Sequence, residues 1–466
     1  MTRTLAWLRA PLIAGGLGGL SLVLWFMPTP EGATPEMMRA AALVVIAIGC
    51  WATVLLPEHL VALLFFLASM VFGVASAPVI FSGFASPAFW LVFGGLIIGA
   101  AVERTGLGRR IARALVSRFA GGYLATVAGV VTVCLALGFL MPSTMGRLVL
   151  LLPIVTALAA RLGYADGSRG RTGLVIATGF GSYLGPVAIL PANVPNNVLL
   201  GAAQTFHGIQ IQYFDWLVIH FPDLGLLKSA LLVAVVWWLF NDRPGDPDAT
   251  TEEVGSVYWS TEERRLALLL AAALALWATD ALHGVSPAWV SLGAGLICLM
   301  PFVALVPPQA FRDKVPMNPL VYVAGILGVG ALVADSGLGA ALAKGVLAVI
   351  ELDPEAPARS FFALSFVSMV LGTVSTMPGV PAILTPIADE IALASGLPIE
   401  TVLMTFVVGF STVFFPYQVP PLIVLLQLGG IPARAAIKTA LVSATLTVAV
   451  LLPLNYLWWR VLGLLP

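Results

Sequence analysis

Charged residues are scarce in this sequence. They make up 10% of its 466 residues, whereas 59% are hydrophobic and the mean hydropathy is +1.00. A soluble protein cannot bury that share of apolar side chains in its own core, so the composition predicts a polytopic membrane protein. The formal net charge is zero, and nothing in the charge balance points to nucleic acid as a partner.

Cysteine and histidine are also rare, and their positions are widely separated. The three cysteines lie in different apolar runs, which fits neither a disulfide framework nor a metal-binding spacing. The sequence contains no His-Glu-x-x-His motif, no Gly-x-Ser-x-Gly motif and no paired catalytic aspartates. We therefore expect a protein that is not an enzyme and has no organic cofactor, with sodium as the only metal to consider.

Basic residues beside the apolar runs predict the topology. Residues 1–85 contain three apolar runs, which we interpret as N-terminal scaffold spans. The basic cluster from Arg104 to Arg118 has apolar residues at helical spacing and predicts an interfacial helix on the cytoplasmic side. Counting the spans back places Arg3 and Arg9 on the same side. We expect a multi-pass protein of the inner (plasma) membrane with a cytoplasmic N-terminus.

One short motif occurs twice. Ser143-Thr144-Met145 and Ser375-Thr376-Met377 each follow a long apolar run, and each precedes a second apolar run that contains Pro-Ile. Such a pattern predicts a re-entrant helical hairpin, because backbone leaves a helix at membrane depth only where it is buried in protein or lines a cavity. We predict hairpins at residues 122–160 and 358–395, with both tips at one binding site.

Two other apolar segments are interrupted by proline. Residues 191–197 read Pro-Ala-Asn-Val-Pro-Asn-Asn and residues 416–421 read Pro-Tyr-Gln-Val-Pro-Pro, and neither sequence can continue a regular helix. They predict broken helices at residues 172–206 and 399–428. The extended polar stretch at residues 241–264 predicts a cytoplasmic linker between two halves.

These features recur in the same order along the chain. Ser86-Pro87, the tetrad at residues 105–108 and the first Ser-Thr-Met have counterparts 232, 231 and 232 residues later. The first copy starts outside and the second inside, so the halves are inverted, as in secondary transporters with a site near the midplane. We predict a first repeat at 86–240, then two connecting spans and the second repeat at 265–466. The alternative is chance recurrence in low-complexity apolar sequence.

The tips predict an anion site. Hydroxyl groups of Ser143, Thr144, Ser375 and Thr376 lie where new helices begin, and free N–H groups at helix N-termini favour a negative ligand. The alternative is that these hydroxyls only cap or back-bond to their own helices.

Arg147 lies within one turn of the first tip. A charge at that depth costs about 3 kcal/mol or more unless it is paired or solvated. We therefore expect Arg147 to contact an anionic substrate or to stand in for a sodium ion. The alternative is a structural partner for an intramembrane acid, and Asp389 and Glu390 are the candidate partners or proton carriers.

The layout resembles the divalent anion:sodium symporter family of the ion-transporter superfamily, which includes sodium-coupled dicarboxylate, citrate and sulfate carriers. The residues that carry the resemblance are Val102–Leu107 before the basic segment, the two Ser-Thr tips with their Pro-Ile pairs, and the two proline-containing breaks. The resemblance implies an all-α protein with eleven transmembrane helices plus two hairpins. It also implies a homodimer formed through a scaffold domain, and an elevator motion of a transport domain that holds both hairpins.

The resemblance implies binding roles for particular residues. The tips of the family read Ser-Asn-Thr, whereas residues 142–144 read Pro-Ser-Thr and residues 374–376 read Val-Ser-Thr, so the asparagine is missing twice. We therefore expect uptake to depend on sodium weakly or not at all, with protons as a candidate drive. The substrate-binding positions expected are Ser143, Thr144, Arg147, Asn196, Ser375, Thr376 and Pro420. The weak ion-binding positions expected are Ser143, Asn193, Asn196, Thr373, Ser375 and Gln418.

The function predicted from these features is secondary active transport of a small organic anion, with di- and tricarboxylates ahead of sulfate. The alternatives are a proton-coupled or exchanging carrier of sulfate or another inorganic anion, and an ion antiporter of the same superfamily. A channel is disfavoured because it gives no reason for inverted, broken hairpins. The expected partners are the anion, membrane lipid and a second copy of the chain.

Overall fold

The computed structural model describes residues 2–465 apart from 31, 54, 112–121, 244–258 and 351. Every regular element among the described residues is helical. The longer helices are α1 (Thr2–Phe26), α2 (Pro35–Thr53), α3 (Glu58–Val71), α4 (Pro87–Thr105), α5 (Tyr123–Gly138), α6 (Thr144–Arg161), α7 (Arg169–Gly181), α8 (Val194–His207), α9 (Tyr213–Phe240), α10 (Thr261–Ala278), α11 (Pro287–Leu299), α12 (Asn318–Asp335), α13 (Leu338–Val349), α14 (Pro357–Val374), α15 (Gly379–Ser395), α16 (Ile399–Phe410), α17 (Pro420–Leu428) and α18 (Ala433–Val461).

Many of these helices are long and apolar enough to cross a membrane. In the described part of the chain, seven helices meet that length and hydropathy by themselves, and an eighth span arises if α15 and α16 are counted together across their 117° bend. Four shorter apolar helices accompany them. The prediction of an all-α polytopic membrane protein is confirmed. Residues 112–118 of the predicted interfacial helix and residues 244–258 of the predicted linker lie outside the described residues.

Helix is interrupted at each of the two predicted tips and the two predicted breaks. Tip 1 is residues 139–143, between α5 and α6, and tip 2 is residues 375–378, between α14 and α15. Break 1 is residues 182–193, between α7 and α8, and break 2 is residues 411–419, between α16 and α17. Short 3₁₀ turns occur within both breaks, as expected where proline removes a helical hydrogen bond.

The two halves also share details of backbone geometry. After α4 the chain turns at Gly106 with φ +82°, and after α12 it turns at Gly337 with φ +74°. Both values lie in the left-handed region that glycine adopts without a steric penalty, which explains the first glycine of the Gly-Leu-Gly sequence after each helix.

Close helix packing relies on small residues where α4 crosses α11. A Cβ atom added to Gly94 would lie 2.4 Å from the carbonyl carbon of Ser291. The Ser291 hydroxyl donates a 3.0 Å hydrogen bond to the Leu91 carbonyl, and Gly295 lies one turn further along α11 against the Gly94 backbone. Such a Ser-x-x-x-Gly face lets two helix backbones approach closely in lipid, where no hydrophobic effect pulls helices together.

This crossing gives a test of the packing. We expect Gly94→Ala to destabilise the protein by about 1–3 kcal/mol, because the new methyl group meets backbone that cannot rotate away. Gly99→Ala on the same helix is the matched control, since an added Cβ there meets nothing within 4 Å. Thermal unfolding of the purified variants in detergent measures the difference. Equal melting temperatures for the two variants would contradict the packing.

Candidate transport site

Tip 1 and break 1 are joined by side-chain hydrogen bonds. The Ser143 hydroxyl caps α6 by accepting a 3.1 Å hydrogen bond from the Gly146 N–H group. The next residue, Thr144, donates from its hydroxyl to Asn193 Oδ1 at 2.6 Å. Of the two predicted hydroxyl groups at this tip, one therefore serves the helix itself and the other reaches break 1.

The Arg147 side chain fills the space between tip 1 and break 1. It is fully buried, and its two terminal nitrogens contact five oxygen atoms. These oxygens are the Met141 carbonyl, the Ser182 carbonyl at 2.7 Å, Asn193 Oδ1 at 3.0 Å, the Ala192 carbonyl at 3.2 Å and the Thr144 hydroxyl at 3.4 Å.

No carboxylate is among these partners of Arg147. Asp389 and Glu390, the predicted acidic partners, belong to α15 and make no hydrogen bond or ion pair with it in the described structure. All five oxygens are neutral, and such a set resembles the ligand shell of a bare cation more than an ion pair. Arg147 therefore brings one uncompensated positive charge to the junction of tip 1 and break 1.

Tip 2 and break 2 are joined differently, by an uncharged side chain. Gln418 is fully buried, and its Nε2 donates to the Gly372 carbonyl at 2.6 Å. Its Oε1 accepts hydrogen bonds from the Phe414 and Phe415 N–H groups, both at 2.7 Å. The Gln418 carbonyl accepts from the Met377 N–H group at 2.9 Å. A single amide therefore satisfies backbone groups on both sides of the second junction.

The remaining predicted residues at tip 2 make local contacts. The Ser375 hydroxyl donates back to the Leu371 carbonyl at 2.9 Å, and the Thr373 hydroxyl donates to the Val370 carbonyl at 2.6 Å. The Thr373 carbonyl accepts a hydrogen bond from the Tyr417 hydroxyl. Thr376 is buried at the same tip. Back-bonding of this kind is the alternative to ligand binding for such hydroxyls, and it occupies those of Ser375 and Thr373.

The asparagines and proline predicted at the breaks lie at the starts of half-helices. Asn193 precedes α8, and its Nδ2 donates to the Tyr183 carbonyl at 3.2 Å. Asn196 donates from Nδ2 to the Val187 and Ile189 carbonyls at 2.9 and 3.0 Å, while its Oδ1 has no partner. Pro420 opens α17, whose N-cap residue offers no side-chain hydrogen bond. The N-termini of α8 and α17 thus lack side-chain caps.

Two residues at this site were missed from the sequence. The Tyr183 hydroxyl donates to the Phe410 carbonyl at 2.9 Å and so ties break 1 to the end of α16. Lys228 on α9 is buried and donates from Nζ to the Ser411 carbonyl at 2.7 Å. Lys228 could have been recognised from the sequence, because an ionisable residue inside an apolar span marks a functional or paired position. No sequence feature distinguishes Tyr183.

Nearly the whole chain matches a known protein family. The family model described as sodium:sulfate symporter transmembrane region matches residues 18–465. The chain belongs to this family. The resemblance to divalent anion:sodium symporters is confirmed, and the protein is a membrane transporter of that family.

Individual relatives are distant but extend over much of the chain. A membrane protein of Cupriavidus necator is 25% identical over 95% of this chain and 91% of its own length. The L-tartrate/succinate antiporter of Escherichia coli is 25% identical over 82% of this chain and 80% of its own length. A chloroplastic dicarboxylate transporter of Spinacia oleracea is 26% identical over 73% of this chain and 61% of its own length.

One solved structure shares the fold. The crystal structure of the Alcanivorax borkumensis YdaH transporter, described as having an unusual topology, matches with a TM-score of 0.55. Sequence identity is 15%, and the match covers 98% of this chain and 99% of that chain. The likeness supports the helical architecture and carries no information about what this protein binds.

The Gln418 amide can be tested by an isosteric change. Gln418→Glu keeps an acceptor for the Phe414 and Phe415 N–H groups but replaces the donor that serves the Gly372 carbonyl with oxygen. We expect a loss of about 1–3 kcal/mol in stability, because a buried carbonyl loses its partner. Thermal unfolding of the detergent-purified variant measures it. Gln427→Glu, at an exposed position of α17, is the control, and equal effects of the two changes would contradict the role of Gln418.

Proposed function

We propose that this protein is a secondary active transporter of small organic anions, with di- and tricarboxylates as the substrate class. The observation that carries the proposal is the uncompensated Arg147 charge, buried at the junction of tip 1 and break 1. A positive charge in a low-dielectric site attracts an anion far more strongly than the same charge in water. Relatives named as dicarboxylate and tartrate/succinate transporters support the same substrate class.

The proposed route across the membrane is an elevator motion. In it, the two hairpins and the two broken helices move as one body against the N-terminal scaffold spans, within a homodimer whose N-termini face the cytoplasm. The Tyr183 bond to Phe410 supports a common body, because it ties break 1 to the end of α16, next to break 2. The uncapped N-terminus of α8 would supply N–H groups for the substrate carboxylates. α17 would not, because it begins with Pro420 and Pro421, which have no N–H group.

We infer that Arg147 takes the place of a coupling sodium ion at the first junction. Its guanidinium group already occupies the backbone carbonyls that a dehydrated cation would need. At the second junction the Gln418 amide binds the Gly372 carbonyl in the same way. A sodium ion would have to displace these donors, so binding of sodium at either place is disfavoured.

Replacing sodium tests this inference. In proteoliposomes of the wild type, we expect the initial uptake of a labelled dicarboxylate to be the same in sodium and in choline. In Arg147→Ala, uptake in choline should fall by about tenfold or more, equivalent to about 1.4 kcal/mol. Sodium should then restore part of the lost uptake, because the vacated carbonyls can bind an ion.

The control for this experiment is Arg264→Ala, which removes an exposed arginine near the start of α10. It should behave as wild type in both media. Steep sodium dependence of the wild type would overturn the inference. Full activity of Arg147→Ala in choline would overturn the role of the charge in binding the anion.

Exchange of one anion for another is a second candidate mode, and the fixed nature of Arg147 favours it. A coupling ion can leave with the substrate, so that the empty carrier returns without charge. The guanidinium group cannot leave, and an empty carrier would have to carry an unpaired charge back across the membrane. Return with a bound anion avoids that cost. The named antiporter among the relatives supports this mode.

Counterflow separates the two modes. We expect uptake of labelled dicarboxylate into proteoliposomes preloaded with unlabelled dicarboxylate to exceed uptake into empty ones by about tenfold, since a barrier higher by about 1.4 kcal/mol slows the empty return by that factor. Protein-free liposomes with the same preload give the background. Equal uptake with and without preload would show that the empty carrier returns freely.

A further inference from the structure

The last long span of each repeat contains a wide helical turn. In α9 the residues Phe221–Leu227 form a π-helical segment, and in α18 the residues Thr447–Leu451 form another. The two segments pack against each other. π-Helical turns inside α-helices are rare, and they occur frequently at functional sites.

An acidic side chain lies buried in the first of these segments. Asp223 is 2% exposed, and neither of its carboxylate oxygens accepts a hydrogen bond in the described structure. Asn455 on α18 is fully buried and approaches this carboxyl group. Neither the oxygen nor the nitrogen of its amide completes a hydrogen bond of normal geometry. Four polar atoms at one buried place are therefore without partners.

Lys228 is the charged group that acts on Asp223. It follows the π-helical segment on the same span, is 1% exposed, and interacts electrostatically with the carboxylate. Its ammonium group is already bound to the carbonyl and hydroxyl oxygens of Ser411, at 2.7 and 2.8 Å. His220 precedes the segment and directs Nε2 at the Met404 sulfur. The segment at residues 186–188 and the π turn of α18 add no titratable residue.

We propose that Asp223 is a proton-binding site in the membrane interior, with Asn455 as its hydrogen-bond partner. A protonated carboxyl group and an amide are complementary. The acid O–H donates to the amide oxygen, and the amide N–H donates to the acid carbonyl. The ionised carboxylate can only accept from the amide nitrogen, and the amide oxygen then has no donor. Binding is the transfer of one proton from hydronium to the carboxylate, which releases water.

A proton fits this place better than a metal ion. Hard cations need several oxygen ligands together, typically six or more for calcium, whereas the carboxyl group and one amide supply three oxygens at most. The Lys228 ammonium also repels a second cation and stabilises the ionised form of Asp223. The carboxyl group therefore has two stabilised forms. Lys228 compensates the charge of the ionised form, and Asn455 forms hydrogen bonds with the protonated form.

The site is connected to the transport machinery through Lys228. Its ammonium group binds the first residue of break 2, at the negative end of the α16 dipole. When Asp223 loses its charge, the end of α16 is the only group left to compensate the Lys228 ammonium. The hydrogen bonds from Lys228 to Ser411 in break 2 then become stronger. Proton binding would in this way alter the junction where Gln418 lies. Measurement of the proton itself does not require substrate, so its outcome is independent of the proposed anion transport.

Infrared difference spectroscopy of the purified protein, titrated from acid to alkaline buffer, tests the proton site. We expect a carbonyl band of a protonated carboxyl group that disappears with rising pH. Asp223→Asn should abolish this band. Asp215→Asn, which changes an exposed acid on the same span, should leave it in place. Asn455→Leu should shift its frequency and its midpoint, because the acid loses its hydrogen-bond partner.

The rival arrangement is a permanent ion pair between Asp223 and Lys228. It predicts that no titrating carboxyl band is lost in Asp223→Asn, and that the band of Asn455→Leu matches wild type. That result would overturn the proposal. If Asp223→Asn does not fold, the Asn455→Leu spectrum still decides between the two, since it leaves both charges present.

Discussion

Backbone that leaves a helix inside a membrane must find new hydrogen-bond partners, and the structure depends on how this protein meets that need. Carbonyl groups released at the breaks and tips have no water to accept from in a hydrocarbon environment. Buried side chains supply donors instead, and three of them carry much of this role. Arg147 serves Met141, Ser182 and Ala192, Gln418 serves Gly372, and Lys228 serves Ser411.

The two junctions of the predicted inverted repeat are alike in backbone and different in charge. Each has a tip, a break and a side chain that bridges them, but the bridge is a guanidinium group in the first half and a neutral amide in the second. A site between them would therefore be polarised, with positive potential from the first junction. Sodium-coupled sites gain such charge from mobile ions, whereas here it is covalently attached. The asymmetry follows from one residue, Arg147, whose counterpart in the other half is Gly379.

Some of this could be predicted from the sequence, and some could not. The places where helices are interrupted were readable, because proline, glycine and short polar runs stand out in apolar sequence. The charge of Arg147 was readable as costly, but three of its five oxygen partners are backbone carbonyls, which leave no trace in the side-chain pattern. The π-helical turns could not be predicted either, because the sequence of Phe221–Leu227 is equally compatible with an ordinary α-helix. Asp223 and Lys228 are ionisable residues in an apolar run, a position that marks a site, but neither was predicted from the sequence.

The hydrogen bonds that satisfy the interrupted backbone also restrict how the protein can move. Arg147 ties α6 to tip 1 and break 1, Tyr183 ties break 1 to the end of α16, and Lys228 ties α9 to break 2. Gln418 ties break 2 to α14. A hinge within this set would break buried polar contacts, each worth about 1–3 kcal/mol when its partner is left unsatisfied. Displacement of the set as one body keeps them all. The energetics of the interrupted backbone thus favour rigid-body motion over local unwinding, because the same bonds that make the breaks tolerable in the membrane link them to one another.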